Sequence, residues 1–121
     1  MEGKVFLVHW DKSEAEACAA ALRAAGWKVD VEAEDGARAV KQILADPPDV
    51  VLIYLTRSPS HGRETAHALR SHKAGRDIRI LFVDGNEAAI EKTRAKVPDA
   101  VFTTSAELEK VLAKFPRSGV V

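Results

Sequence analysis

Short apolar bursts alternate with stretches of helical period along the chain, and the alternation repeats five times. Lys4–Val8 is a nearly continuous apolar run, the pattern of a strand buried on both faces. Ser13, with Glu16 three residues later, has the form of a capping box. Ala15, Cys18, Ala19 and Leu22 follow at helical spacing, up to a stop at Gly26. Trp27–Glu32 alternates, which predicts a strand nearer an edge. Ala37, Val40, Ile43 and Leu44 line a second helix that Pro47-Pro48 ends. Val50–Leu55 is a third strand. A loop with Pro59 leads to a helix from Arg63 to Lys73, ended by Gly75. Ile78–Val83 is a fourth strand, Asn86–Lys96 a weakly amphipathic helix and Ala100–Thr103 a short fifth strand. Ser105 is placed to cap a last helix with Leu108, Val111, Leu112 and Phe115 on its inner face.

Alternation of this kind with short connections predicts an α/β domain: a parallel sheet, right-handed crossovers and helices on both faces. In such sheets the functional crevice lies beyond the carboxyl ends of the strands, where strand order reverses. That rim carries His9-Trp10-Asp11, Tyr54 with its loop, Asp84-Gly85 and Thr103-Thr104-Ser105. The 121 residues suit one domain, 1–115, with 116–121 as a C-terminal tail. Eighteen basic and eighteen acidic side chains cancel, so no global charge favours nucleic acid or acidic substrates. A single cysteine excludes an internal disulfide and fits a reducing compartment. The apolar run before His9 is four residues, too short for a signal peptide or a membrane span. The expectation is a cytoplasmic protein with no membrane contact.

The stretches KVFLVHWDKSEAE, GWKVDVEAEDGARAVKQILADPPDVVLIYL, IRILFVDG and PDAVFTTSAELEKVL resemble a response-regulator receiver domain, over residues 3 to 114. Gly62, eight residues after Tyr54, stands where that family has a glycine. The resemblance implies a flavodoxin-like, doubly wound five-stranded parallel sheet of order 2-1-3-4-5, in a bacterial two-component type system. It also implies a set of chemical positions. In the family an acidic pair after the first strand holds Mg²⁺, and an aspartate ending the third strand accepts phosphate. A Thr or Ser ends the fourth strand, and a lysine followed by a cis-proline follows the fifth. Carried over by position, the acidic pair falls on His9 and Trp10, and the phospho-acceptor on Tyr54. The hydroxyl position falls on Val83, the lysine on Thr104 and the proline on Ser105. Each is replaced, and the loop proline stands one place late, at Pro59.

The physical chemistry of these replacements points one way. Mg²⁺ wants hard oxygen ligands in octahedral geometry, whereas His9 offers a softer nitrogen and Trp10 none; Asp11 alone is one carboxylate. A tyrosine hydroxyl, with a pKa of about 10, does not act as a carboxylate ionised near neutral pH. Val83 has no hydroxyl and Thr104 no charge. Trp10 and Tyr54 are expected either to fill the former metal volume or to form a new site for a stacked ligand or soft metal. The Tyr54 hydroxyl needs a partner, with His9, Asp11 and Thr104 as candidates. Asp11 can also cap the first helix.

Other residues carry weaker signals. His61, His67 and His72 do not share a helix face, so no metal site is expected there. Cys18 reads as a small buried hydrophobe. Asp84 is either an acid at the crevice or, like Asn86, a helix cap. Arg57, Arg63, Arg70, Lys73, Arg76 and Arg79 face only Glu64 and Asp77, and Arg63, His67 and Arg70 form one helical stripe. By contrast, Asp30 to Asp49 is acidic. Arg57, Arg63, His67, Arg70 and Asp84 are therefore candidates for a partner or anion, against the reading of a plain solvated face. Nucleic acid is disfavoured, because no aromatic residues interleave with the basic ones.

The expected function is a stand-alone interaction module, not phosphorylated at the usual position, that binds a protein partner, with homodimerisation through the 86–114 surface as one form. The alternative is a small-ligand or anion sensor using the crevice at the strand ends. No catalytic residue, metal or cofactor is expected. There is no nucleophile–base pair at usable spacing and no phosphate-binding glycine run after the first strand, so nothing supports an enzyme.

Overall fold

In the computed structural model, which describes residues 3–114, the apolar bursts pair as parallel strands of one sheet. They are β1 (Lys4–Val8), β2 (Lys28–Glu32), β3 (Val50–Tyr54), β4 (Ile80–Val83) and β5 (Val101–Thr103). Their order is β2-β1-β3-β4-β5, the doubly wound, flavodoxin-like arrangement expected. The helices are α1 (Lys12–Ala24), α2 (Gly36–Ala45), α3 (Pro59–Ser71), α4 (Glu87–Lys96) and α5 (Leu108–Ala113), with one turn of 3₁₀ helix at Lys73–Gly75.

Strand alternation splits the core into two layers. Leu52 and Tyr54 of β3 pack with Ala15, Ala19 and Leu22 of α1 and with Leu108 and Leu112 of α5. Val51 and Ile53 pack with Ala39 and Ile43 of α2 and with Ala66 and Leu69 of α3. All five residues of β3 are buried, which is why its sequence is an unbroken apolar run. Gly62 lets α3 lie directly on this strand, since a Cβ there would stand 2.9 Å from Ile53 Cγ2. Register aligns the carboxyl ends: Val8 faces Ile53, Tyr54 faces Val83, and Val83 faces Thr103. The rim residues thus meet at one edge.

Three helix starts differ from those expected. α1 is capped by Asp11, as its alternative role allowed, with Oδ1 accepting from the Glu14 N–H at 2.9 Å; Ser13 lies inside the first turn, so the Ser13–Glu16 capping box does not form. α3 begins at Pro59 rather than Arg63, because a proline at N1 lacks only an N–H that has no intrahelical partner anyway. α5 begins at Leu108, and Ser105 does not cap it, being hydrogen-bonded elsewhere. Asn86 caps α4 through Ala89 N–H at 2.8 Å. Phe115 and the 116–121 tail lie outside the described residues.

The β2–α2 turn is built on one buried carboxylate. Glu32, 5% exposed, accepts from Arg38 Nε at 2.6 Å and Nη2 at 2.7 Å, and from the backbone N–H groups of Glu34 and Asp35 at 3.0 and 3.1 Å. The Arg38 fork, opposed by burial and aided by the two amides, holds its pKa down to about 2.

Candidate functional site

His9 leaves β1 buried, 3% exposed, and its ring stacks on Tyr54 with centroids 4.5 Å apart and planes at 21°. Its Nδ1 accepts from the Asp11 N–H at 3.3 Å, so in the neutral ring the proton sits on Nε2, 3.5 Å from Glu14 Oε2. Tyr54 is 4% exposed, and its hydroxyl meets the Cys18 side chain rather than His9, Asp11 or Thr104; His9 meets the ring instead. Burial, then the Cys18 contact, pushes the phenol above its ordinary range, so it stays neutral. Cys18 is half-buried at the crevice wall, not fully buried.

Glu14 ties the crevice rim together. Arg57, from the β3–α3 loop, grips it with Nε at 3.0 Å and Nη2 at 2.7 Å, and lies 3.8 Å from Asp11 Oδ2. The guanidinium holds the Glu14 carboxyl below its usual range. Arg57 is therefore already paired with carboxylates and is no open anion site. What remains is a crevice of about 420 Å³, with His9, Cys18, Tyr54, Arg57, Asp84 and Ser105 on its walls.

Across the rim, Val83 is buried and offers no polar group. Asp84 follows with φ +60°, a left-handed conformation that aspartate tolerates better than most residues, and Gly85 continues it at +100°. The Asp84 carboxylate accepts from Ser105 N–H at 2.8 Å and Ser105 Oγ at 2.9 Å, and the Asp84 N–H donates to Thr103 O at 2.9 Å. Asp84 thus caps no helix; it latches the β4–α4 turn to the β5–α5 turn. Thr104 is exposed and accepts from the Glu107 N–H at 3.3 Å.

Trp10 turns away from this crevice. It packs against the α2/α3 core layer and meets His61 edge-on, with centroids 5.5 Å apart at 68°. Trp10 and Tyr54 therefore belong to opposite layers, and neither a joint plug nor a ligand stacked on both can form. The Trp10 Nε1–H is buried without a hydrogen-bond acceptor. Trp10→Phe is accordingly expected to change unfolding free energy by less than about 1 kcal/mol, relief of the unpaired donor offsetting the lost area; urea denaturation measures it.

The basic stripe on α3 is not a continuous anion face. Arg70 is held by Asp99 at 2.9 and 3.3 Å and by Gly75 O at 2.6 Å, while Arg63 and His67 lie farther up the helix. Among the described residues, no group of three His, Cys, Asp or Glu is placed to hold a metal ion.

Burial depresses the His9 pKa below the ordinary 6.5, reinforced by Arg57, against the opposing pull of Glu14, Asp11 and Asp84. As pH falls below 6.5 the unfolded chain protonates first. His9's contribution to stability is therefore full above that pH and lost as pH falls toward the depressed value. An NMR titration of the His9 ring is expected to give a midpoint below 6.5; a midpoint above it would mean that the carboxylates dominate.

No family model matches the chain, and no curated protein does. Solved structures match its fold over nearly all its length. The chemotaxis protein CheY4 of Vibrio cholerae shares 19% identity at TM-score 0.79, covering 96% of this chain and 100% of that one. The receiver domain of a sensor histidine kinase from Pseudomonas aeruginosa, described with a magnesium ion in its active-site cleft, shares 22% at TM-score 0.76, covering 95% and 98%. A CheY-like receiver domain from Methylobacillus flagellatus shares 19% at TM-score 0.77, covering 93% and 98%. The fold is that of response-regulator receivers. No helix among the described residues is long and apolar enough to cross a membrane.

Proposed function

We propose that the chain is a receiver-like module of two-component type that binds a protein partner without being phosphorylated at the end of β3, and that it is not an enzyme. The observation that carries this reading is the buried stack of Tyr54 on His9. Where a receiver would need an ionised carboxylate open to a phosphoryl donor, a neutral ring is packed. The neighbouring carboxylates are engaged: Asp11 on the start of α1, Glu14 on Arg57, and Asp84 on Ser105. The resemblance to a receiver with a magnesium ion in its cleft makes the contrast testable.

Titration with Mg²⁺ and then beryllofluoride, followed by two-dimensional amide NMR, is expected to leave the amides of His9, Tyr54 and Asp84 unmoved. Localised, saturable shifts there would overturn the reading in favour of the second one, an anion or small-ligand sensor. The 420 Å³ crevice beside Cys18 and Tyr54 is the observation that keeps that alternative specific. A homodimer through the 86–114 surface would rest on Val101, 48% exposed on edge strand β5. Of the charges on this surface, Glu91 pairs with Arg94 and Glu107 with Lys110, while Lys96 and Asp99 pair with Glu64 and Arg70 of α3.

A further inference from the structure

We propose that the groove between α2 and α3, floored by Trp10, receives a basic segment of the partner protein. The inference rests on the protein-binding reading and supplies the partner's chemistry. The groove encloses about 800 Å³ and lies in the opposite layer from the Tyr54 crevice. His61, Thr65 and Ala68 line it at i, i+4 and i+7 on α3, and His72 lines it just past the helix end. It therefore follows the helix from His61 to its carboxyl end, roughly 15 Å, the reach of between about four and five extended residues. That length suits a chain segment better than a compact small molecule.

Charge selects the segment. Glu34, Asp35 and Glu64 stand on the groove walls, and the one arginine there, Arg38, is already forked onto buried Glu32. Glu64 has Lys96 at 3.0 Å, and Asp35 also answers the start of α2 by accepting from the Arg38 N–H. Arg38 also lies 3.9 Å from Glu34, and Arg63 acts on Glu64; counting buried Glu32, four carboxylates stand against Arg38, Lys96 and Arg63, an excess of one. Of the acidic residues between 30 and 49, Glu34 and Asp35 stand in the groove, whereas Asp30, Asp46 and Asp49 lie at Lys4, away from it. Trp10 adds an indole, the side chain best suited to hold a guanidinium or ammonium group. Its unpaired Nε1–H is the donor that a segment's backbone carbonyl would satisfy after a small turn of the ring.

The test titrates the full chain at low salt with a capped peptide alternating arginine and alanine. Controls are the same peptide with glutamate for arginine, and free guanidinium. The readout is the Trp10 indole N–H, assigned with Trp27→Phe. The arginine peptide is expected to shift it saturably, and the glutamate peptide is not. The pair Glu34→Gln with Glu64→Gln, and separately Ala68→Trp, which fills the groove from an exposed position, should each weaken binding roughly tenfold. No shift at millimolar peptide, or a shift indifferent to both sets of variants, overturns the proposal. Equal affinity for free guanidinium overturns the segment in favour of a small organic cation. A chain that takes no phosphate but leaves Trp10 silent loses only this inference; a phosphorylated chain loses the reading beneath it.

Discussion

Tyr54→Asp is expected to destabilise the fold by about 3–5 kcal/mol and to remain unphosphorylated. The substitution restores the residue type a receiver uses, but not its surroundings. It removes a ring that is 4% exposed and stacked on His9, leaving a cavity between Leu52, Val83 and α1. It places a carboxylate where no metal-ligand partner waits: His9 and Trp10 follow β1, and Asp84 is bound to Ser105. Tyr54→Phe keeps the ring and drops only the hydroxyl at Cys18, so its cost is expected to stay below about 1.5 kcal/mol. Urea unfolding of the two variants separates ring from hydroxyl. A stable Tyr54→Asp protein that reacts with acetyl phosphate would show the acceptor site to be intact beneath the tyrosine.

Glu32→Gln is expected to cost about 1–3 kcal/mol at pH 7 and to flatten the acid limb of the stability curve. The carboxylate makes four hydrogen bonds, two to Arg38, and its pKa falls from the ordinary 4.5 to about 2. As pH drops below 4.5 the unfolded chain takes up the proton first, so this stabilisation is full above that pH and is lost as pH falls through about 2. Arg38 is half exposed, and solvent screening keeps the loss at the lower end of what the shift alone would suggest. Denaturant midpoints of wild type and variant between pH 5 and pH 2 should converge; parallel curves would mean that Glu32 titrates normally in the fold.

The sheet was readable in the sequence because β1, β3 and β4 are buried on both faces and show as short apolar runs. Helix starts were less readable, since a cap is chosen by which side chain reaches the first free N–H groups. Asp11 and Ser13 both qualified by type; only geometry awards the site to Asp11. Ser105 looked like a cap because its engagement by Asp84 spans 21 residues. The same limit hid Glu14, whose grip on the rim runs through Arg57, 43 residues away, as well as to His9. The separation of Tyr54 from Trp10 had a signal that went unused. His9 and Trp10 are neighbours on an extended chain, so they face opposite layers, and only one of them can join Tyr54. The identity of the Tyr54 hydroxyl's neighbour, Cys18, had no such signal, because it depends on how α1 is set over the sheet.

The most direct test is intact-mass spectrometry of the wild-type chain after incubation with acetyl phosphate and Mg²⁺, alongside a receiver known to accept phosphate from that donor. The expected result is an unmodified chain beside a phosphorylated control. A hydroxylamine-sensitive phosphoryl adduct on this chain would contradict phosphorylation-independent binding and return the rim carboxylates, Asp11 and Asp84 first, to the role of acceptor.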